Sequence, residues 1–200
     1  MSSKTPLVPE NMIPLPALGE NQGMLSWVAS VDHKQIGIMY LIATMVFFII
    51  GGLEALVIRT QLAKPEFDFI SPEVYNQMFT MHGTTMIFFV VMPFLIGLGV
   101  YLVPLMIGAR DMAFPRLNAL SFWLVIFGGI LLYYSFLTQS GPSEVGWFAY
   151  APLSEKPFSL NKGPTYWALG LLATGISSVA SGLNNIVTIL TMRVKGMTMR

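Results

Sequence analysis

Residues 74–109 read VYNQMFTMHGTTMIFFVVMPFLIGLGVYLVPLMIGA, a run of 36 positions without Asp, Glu, Lys or Arg. A membrane-spanning helix needs roughly 20 predominantly apolar residues, whereas a strand of a membrane barrel alternates apolar and polar side chains. Three more stretches are long and apolar: 36–58, in which Glu54 is the single charge, 117–143 and 163–192. We therefore predict an all-α, polytopic transmembrane bundle. Its helices are predicted at about 36–58, 76–102, 117–138 and 165–192.

The composition of the whole chain agrees with a membrane protein. Apolar residues make up 54% and charged residues 10%, whereas soluble domains carry about 25% charged residues. The 11 Lys and Arg nearly balance the 10 Asp and Glu, which argues against binding to nucleic acid. There are no cysteines, so disulfides, Cys-ligated zinc and iron–sulfur clusters are excluded.

The segments outside the predicted helices set the topology. Residues 1–35 contain four prolines and lack the pattern of a signal peptide, so they are predicted to form an irregular arm along the membrane surface. Residues 36–200 then form the transmembrane part. Four spans place both termini on one side, and that side carries seven Lys and Arg against four on the other. Because short cytoplasmic loops are richer in Lys and Arg, we predict cytoplasmic termini.

The fourth predicted helix has one face of small and polar residues. They recur at spacings of three and four, which places them along one side of a helix. Such residues let helices pack closely and bond across an interface, and they can also hold waters on a proton path. Both interpretations stay open from the sequence. The residues are Gly170, Thr174, Ser177, Ser181, Asn184 and Thr188.

Two side chains near the outer face are candidates for cofactor binding. His82 is placed in the first turns of the second helix, at the depth of Arg59 at the outer end of the first. An ionisable group within a span is costly and usually functional, and histidine commonly ligates haem iron. His82 is thus either a haem ligand or hydrogen-bonded to a neighbouring helix. His33 lies on the inner side, so a second histidine ligand would lie outside these residues. Arg59 either reaches lipid headgroups or donates to a haem substituent.

Two carboxylates remain. Asp111 follows the second helix on the inner side, where it pairs with Arg110 or Arg116, caps the third helix, or collects protons at the mouth of a channel. Cofactor chemistry near one face and proton uptake at the other suit an energy-conserving redox enzyme. Glu54 lies one turn from the outer end of the first helix and is interpreted as pore-lining or paired.

An ordered set of motifs resembles the N-terminal part of the subunit 1 family of cytochrome c oxidases, in the haem–copper oxidase superfamily. The set spans residues 31–199 in family order, and its wording is similar to bacterial members. The motifs are DHKQIG at 32–37, LVIR at 56–59, YN at 75–76, TMHG at 80–83, VPLMIGA at 103–109, GW at 146–147 with Tyr150 and Leu153, SS at 177–178 with Asn184, and GMT at 196–198.

The resemblance implies roles for several residues. His82 would be an axial ligand of the low-spin haem A, Arg59 would bond the haem formyl group, and Trp147 would lie near the propionates. Tyr75 belongs to the same cofactor-binding set. Asp111 would be the entrance of the D proton pathway. The residues expected to line or support that pathway are Asn118, Tyr40, Ser177, Ser178 and Asn184.

Two positions depart from the family pattern. Val100 stands where the family commonly has an asparagine, eleven residues before the entrance aspartate, which puts the usual water chain in doubt. Gln61 stands where mitochondrial relatives have an acidic residue, which puts their cation site in doubt.

The resemblance also implies a twelve-helix fold, of which this chain covers helices one to four, so the chain is expected to be partial. The second haem, the copper and their ligands are expected in the missing C-terminal part. The implied function is reduction of dioxygen to water, coupled to proton translocation, with cytochrome c as donor. The implied partners are a copper-bearing subunit 2 and a subunit 3 in a bacterial plasma membrane. The alternatives are a quinol oxidase of the same superfamily and a non-catalytic membrane scaffold or transporter component.

Overall fold

The computed structural model describes residues 23–139 and 141–198, and every regular element among them is helical. Four continuous helical rods, of 29, 36, 23 and 29 residues, are long and apolar enough to cross a membrane, which confirms the predicted all-α bundle of four spans. In chain order the elements are α1 (Met24–Val28), α2 (His33–Gln61), α3 (Pro72–Thr84), a π-helical segment (Thr85–Val91), α4 (Met92–Ile107), α5 (Pro115–Tyr134), a 3₁₀ turn (Ser135–Leu137) and α6 (Gly163–Thr191).

The first span begins earlier than predicted because of its cap. The side chain of Asp32 accepts hydrogen bonds from the backbone N–H of Lys34 at 2.8 Å and of Gln35 at 3.2 Å, so α2 starts at His33. The arm predicted as irregular over residues 1–35 is wrong in its last part, which contains α1 just before this cap and the first residues of α2. Residues 1–22, which contain the four prolines, lie outside the described residues.

The second span is one rod built from α3, the π-helical segment and α4. Pro93 lies two residues after the end of the π-helical segment, in the first turn of α4. Because proline has no N–H to donate, a regular turn loses a bond there, and Met92 donates instead to the carbonyl of Ile87, five residues back. The rod continues through Pro104 and ends at Gly108, whose φ of +70° suits a helix C-terminus. It is therefore longer than the predicted 76–102.

Glycines bring the helices into close contact. A Cβ atom on Gly97 of α4 would lie 2.6 Å from the Cβ of Tyr40 on α2. Gly128 of α5 and Gly170 of α6 also bring their helices into close contact, because a Cβ on either would lie 2.9 Å from the carbonyl oxygen of the other. These are the small-residue contacts by which helices associate in membranes.

The polar face of α6 points into the bundle. All six of its predicted members are buried, while large apolar side chains of every rod point outward. The prediction that these six residues share one face is confirmed, and that face is buried. The bundle thus has polar groups inside and apolar groups outside, as a membrane requires. The end at loop 62–71 is called the Arg59 end below, and the end at loop 108–114 the Asp111 end.

Candidate cofactor and proton-transfer sites

The His82 ring is held by the first helix. Its Nδ1 lies 2.8 Å from the carbonyl oxygen of Gly51 in α2. A carbonyl only accepts hydrogen bonds, so Nδ1 must carry the proton. The lone pair of Nε2 is then the one left for a metal. This arrangement, with one ring nitrogen donating to the backbone and the other available, is typical of metal-ligating histidines.

The loop after α5 covers the turn that carries His82. The backbone N–H of Gly146 donates to the hydroxyl of Thr80 at 2.9 Å. Trp147 then lies so close to Gly83 that a Cβ on Gly83 would be 3.0 Å from the Trp147 Cδ1. The Trp147 side chain, 40% exposed, therefore lies beside the predicted haem ligand.

Arg59 and Tyr75 lie further towards the membrane surface. Arg59 is exposed and stands eight residues beyond Gly51, which is about 12 Å along α2 at 1.5 Å per residue. Tyr75 is half-buried in the first turn of α3 and lines a cavity together with Gln61. The prediction that His82 and Arg59 share one depth is wrong, since α3 begins already at Pro72 and His82 lies in its third turn.

The two histidines are far apart. His33 begins α2, 18 residues before Gly51, so His33 and His82 are separated by about 27 Å along the helix. Within residues 23–139 and 141–198, no three His, Asp or Glu side chains form a group that could hold a metal ion. These residues could supply one haem ligand, through Nε2 of His82.

At the Asp111 end, Asp111 meets His33. Its Oδ1 lies 3.2 Å from Nδ1 of His33, which is only 1% exposed, while the Asp111 side chain is 31% exposed. The same Oδ1 accepts a hydrogen bond from the N–H of Met112 at 2.7 Å. The structure thus pairs Asp111 with a histidine, and α5 begins without a side-chain cap. The alternatives of a pair with Arg110 or Arg116, or a cap on the third helix, are wrong.

A hydroxyl cluster lies further inside the bundle. The Tyr40 hydroxyl donates to Oγ of Ser121 at 3.1 Å and lies 3.4 Å from Oγ of Ser177. The Ser177 hydroxyl donates to the Ser121 carbonyl at 2.6 Å. All three residues are completely buried. Helices α2, α5 and α6 therefore meet at a buried hydrogen-bonded centre.

Asn118 lies between that cluster and the Asp111 end, one turn before Ser121 on α5. It is completely buried, and neither polar atom of its amide has a hydrogen-bond partner among the described residues. Buried amides of this kind are normally satisfied by ordered water. Val100 packs in the same core as Tyr40, so an apolar side chain occupies the position of the expected asparagine. A Cβ on Gly99, the residue before Val100, would lie 3.7 Å from the amide of Asn185.

Asn184 binds the backbone of loop 108–114 at the Asp111 end. Its Oδ1 accepts from the N–H of Phe114 at 2.9 Å, and its Nδ2 donates to the Phe114 carbonyl at 3.1 Å. Thr188, one turn further, accepts from the N–H of Ala113 at 2.9 Å. Ser178 lies apart from this side, because its hydroxyl donates back to the Gly175 carbonyl and it lines an apolar groove on another face of α6.

Gln61 organises the loop at the Arg59 end. Its Oε1 accepts from the N–H groups of Phe69 at 3.0 Å and Ile70 at 2.9 Å, and its Nε2 donates to the carbonyl of Phe67. One amide thus holds the backbone of the loop at three points. A carboxylate at this position could accept the first two bonds but could not make the third.

Sequence reasoning missed two members of these sites, His33 and Ser121. Ser121 had a visible signal, because it stands three residues after Asn118 in a predicted helix and must share its face. The sequence places Thr188 on the polar face of the fourth helix but does not predict its bond to Ala113 in loop 108–114. His33 had been considered only as a ligand, and nothing in the sequence paired it with Asp111.

Comparisons with known proteins give a consistent result. The family model described as Cytochrome C and Quinol oxidase polypeptide I matches residues 35–200. The chain is 46% identical to Cytochrome c oxidase subunit 1 of Corynebacterium glutamicum over 188 residues, 93% of this chain and 32% of the relative. It is 44% identical to the protein of the same name from Corynebacterium diphtheriae over 188 residues, 93% of this chain and 33% of that protein.

A relative named as a quinol oxidase has a comparable sequence identity. Quinol oxidase subunit 1 of Bacillus subtilis is 48% identical over 173 residues, which are 86% of this chain and 26% of that protein. The chain spans about a third or less of the length of the curated relatives it matches.

Proposed function

The chain belongs to the family of cytochrome c and quinol oxidase polypeptide I, and from this premise we propose that it is part of the catalytic subunit of a proton-translocating terminal oxidase. The whole subunit would reduce dioxygen to water with electrons from cytochrome c, in complex with a copper-bearing subunit 2 and a subunit 3. The chain would lie in a bacterial plasma membrane with its N-terminus in the cytoplasm. The second haem and the copper would be held by parts of the subunit beyond these helices.

The observation that carries this proposal is the bond between His82 and Gly51. The Gly51 carbonyl fixes the ring orientation and the tautomer, so Nε2 of His82 is prepared for an iron atom. A bound haem A would supply one-electron transfer at this site. Trp147 would border the haem pocket from the loop side. Arg59 and Tyr75 would contact the haem periphery towards the Arg59 end, where a positive guanidinium stabilises added electron density.

The groups from the Asp111 end inward suit proton uptake. Asp111 is partly exposed and would take protons from the aqueous phase, with His33 beside it. Asn118 would hold the next waters, because its two amide atoms have no partner in the part of the chain that the structure describes. The hydroxyls of Tyr40 and Ser177 would continue the path into the bundle. Asn184 would support the path by holding loop 108–114 in place, whereas Ser178 lies on another face of α6 and is left out of the path.

A reduced-minus-oxidised visible spectrum of the membrane complex tests the ligand assignment. We expect His82→Ala to abolish the low-spin haem signal. His33→Ala, about 27 Å away along α2, is the matched control and should keep that signal. If His82→Ala does not assemble, His82→Gly with added imidazole should regain the signal. An unchanged spectrum in an assembled His82→Ala variant refutes the assignment.

Quinol is the second candidate donor, because the quinol oxidase subunit of Bacillus subtilis is as similar as the cytochrome c oxidases. Turnover of the purified complex with reduced cytochrome c and with a quinol, measured side by side, distinguishes the two donors. Rapid oxidation of quinol with none of cytochrome c would replace the donor named above.

A further inference from the structure

Glu54 is a carboxyl group inside a membrane-spanning helix to which the proposed oxidase mechanism gives no role. It lies in α2 and is only 6% exposed. Seven residues separate it from the last residue of α2 at the Arg59 end, about 10 Å at 1.5 Å per residue. The start of the same helix at the Asp111 end is 21 residues away, about 32 Å. The nearer aqueous phase is therefore that of the Arg59 end.

Glu54 ends a chain of hydrogen bonds between three helices. The hydroxyl of Tyr133 on α5 donates to Oε1 of Glu54 at 3.0 Å. The same hydroxyl lies 2.6 Å from Oγ1 of Thr85. Tyr133 has a single hydroxyl proton, which it gives to Glu54, so Thr85 must donate to Tyr133. The donors thus run in one direction, from Thr85 through Tyr133 to the carboxyl.

The second carboxyl oxygen of Glu54, Oε2, lies outside this chain of hydrogen bonds. Oε2 of Glu54 is buried and has no hydrogen-bond partner among the described residues. An ionised carboxylate with one neutral donor would leave a negative charge in a low-dielectric interior, which is very costly. A neutral carboxyl costs far less, but its O–H on Oε2 still needs an acceptor. A buried water molecule meets that need.

Charged neighbours do not change this conclusion. Within residues 23–139 and 141–198, the one close contact between an acidic and a basic side chain joins Asp111 to His33, at the opposite end of α2. Tyr133 on α5 is the titratable side chain hydrogen-bonded to Glu54. The other titratable groups on the elements packed against α2 are Glu73, Tyr75 and His82 on α3, Tyr101 on α4, and Arg116 and Tyr134 on α5, and Arg59 on α2 itself is exposed. None of the basic side chains among the described residues forms an ion pair with Glu54.

We propose that Glu54, Tyr133 and Thr85 form an internal proton-exchange site, in which the neutral Glu54 carboxyl binds a water molecule through Oε2 and exchanges its proton with the aqueous phase at the Arg59 end. The proton leaves Oε2 for the water while another proton arrives from it, so the carboxyl remains neutral and no charge is left behind. Tyr133 holds Oε1, and the ring contacts of Tyr133 with Phe47 and Phe136 hold the phenol in place.

Infrared spectroscopy of the intact membrane protein in H₂O and in D₂O tests this site. A neutral carboxylic acid has its own carbonyl stretch, separate from that of a carboxylate. We expect this band in the parent and its loss in Glu54→Gln. The matched control is Glu66→Gln, because Glu66 is exposed and its removal should leave the band in place. Transfer to D₂O should shift the band promptly to lower frequency.

Tyr133→Phe provides a second variant that keeps the aromatic ring. It removes one hydrogen bond to the carbonyl of Glu54, so the band should move to higher frequency while Glu54 remains. This variant keeps the test decisive if Glu54→Gln does not fold.

Two results would overturn the proposal. If Glu54→Gln removes no carboxylic-acid band, Glu54 is ionised. If the band resists exchange in D₂O, the carboxyl is sealed from water and only holds the helices together. Neither readout involves haem or oxygen, so the result is independent of the oxidase activity proposed above.

Discussion

The contact between Gly97 and Tyr40 makes a sharp test of the packing that supports the hydroxyl cluster. An added Cβ on Gly97 would lie 2.6 Å from the Tyr40 Cβ and 3.5 Å from its Cγ. The Cβ of Tyr40 is fixed to its backbone, so rotation of the side chain cannot relieve this clash. Gly97→Ala must therefore push α4 away from α2, and with it the Tyr40 hydroxyl from Ser121 and Ser177.

The same helix contains its own control. Gly99→Ala would place a Cβ 3.7 Å from the amide of Asn185, an ordinary van der Waals distance. Replacing glycine by alanine within a helix stabilises it by about 1 kcal/mol, and this gain is common to both variants. Forcing an extra carbon into a packed contact costs about 1–3 kcal/mol. Gly97→Ala should thus be about 1–3 kcal/mol less stable than Gly99→Ala.

The assay is the thermal midpoint of the purified membrane protein in detergent, with oxygen-consumption turnover measured on the same samples. We expect a lower midpoint and lower turnover for Gly97→Ala, and a midpoint at or above that of the parent for Gly99→Ala. Equal midpoints for the two variants would show that α2 and α4 do not touch at Gly97. The position described here for Tyr40 would then be wrong as well.

Three further variants probe the two ends of the bundle. Asp111→Asn should slow proton uptake while leaving haem content intact, and normal pumping and turnover would remove Asp111 from the proton path. Asn184→Ala deletes both bonds to Phe114, so stability should fall by about 1–3 kcal/mol, read as faster proteolysis within loop 108–114; unchanged proteolysis would contradict the contact. Gln61→Glu loses the donor to Phe67 and gains a charge, so loop 62–71 should become stabilised by added Ca²⁺, whereas a Ca²⁺-independent melting curve would contradict this expectation.

Much of the fold was predictable because membrane spans leave a strong signal in sequence. The long apolar stretches, three without a charge and one with Glu54 alone, located all four rods, and the three- and four-residue spacing on α6 identified its buried face. The ordered motifs identified the family that the family model also assigns. The orientation in the membrane stays a prediction, since helices alone do not indicate which side faces the cytoplasm.

The predictions were weakest where the relevant partner lies on another helix. One of the interpretations left open for Asp111 paired it with its sequence neighbours Arg110 or Arg116, yet the structure places it beside His33, 78 positions away along the chain. The depth of His82 was misjudged because Ser71 and Pro72 start α3 earlier than hydropathy indicates. Glu54 had no visible partner for the same reason, since Tyr133 reaches it from a helix that the sequence cannot place beside it.

The contact between α5 and α6 gives this helix pair an unusual response to temperature. In a soluble core, burial of apolar surface changes the heat capacity strongly, and the stabilisation that it provides weakens on cooling. Here the helices exchange contacts with lipid tails that are as apolar as their own side chains. They meet through Gly128, Gly170 and the bond from Ser177 to Ser121, which withdraw little apolar surface from water. Separating α5 from α6 within the bilayer therefore carries a heat-capacity change near zero, and cold does not loosen the pair.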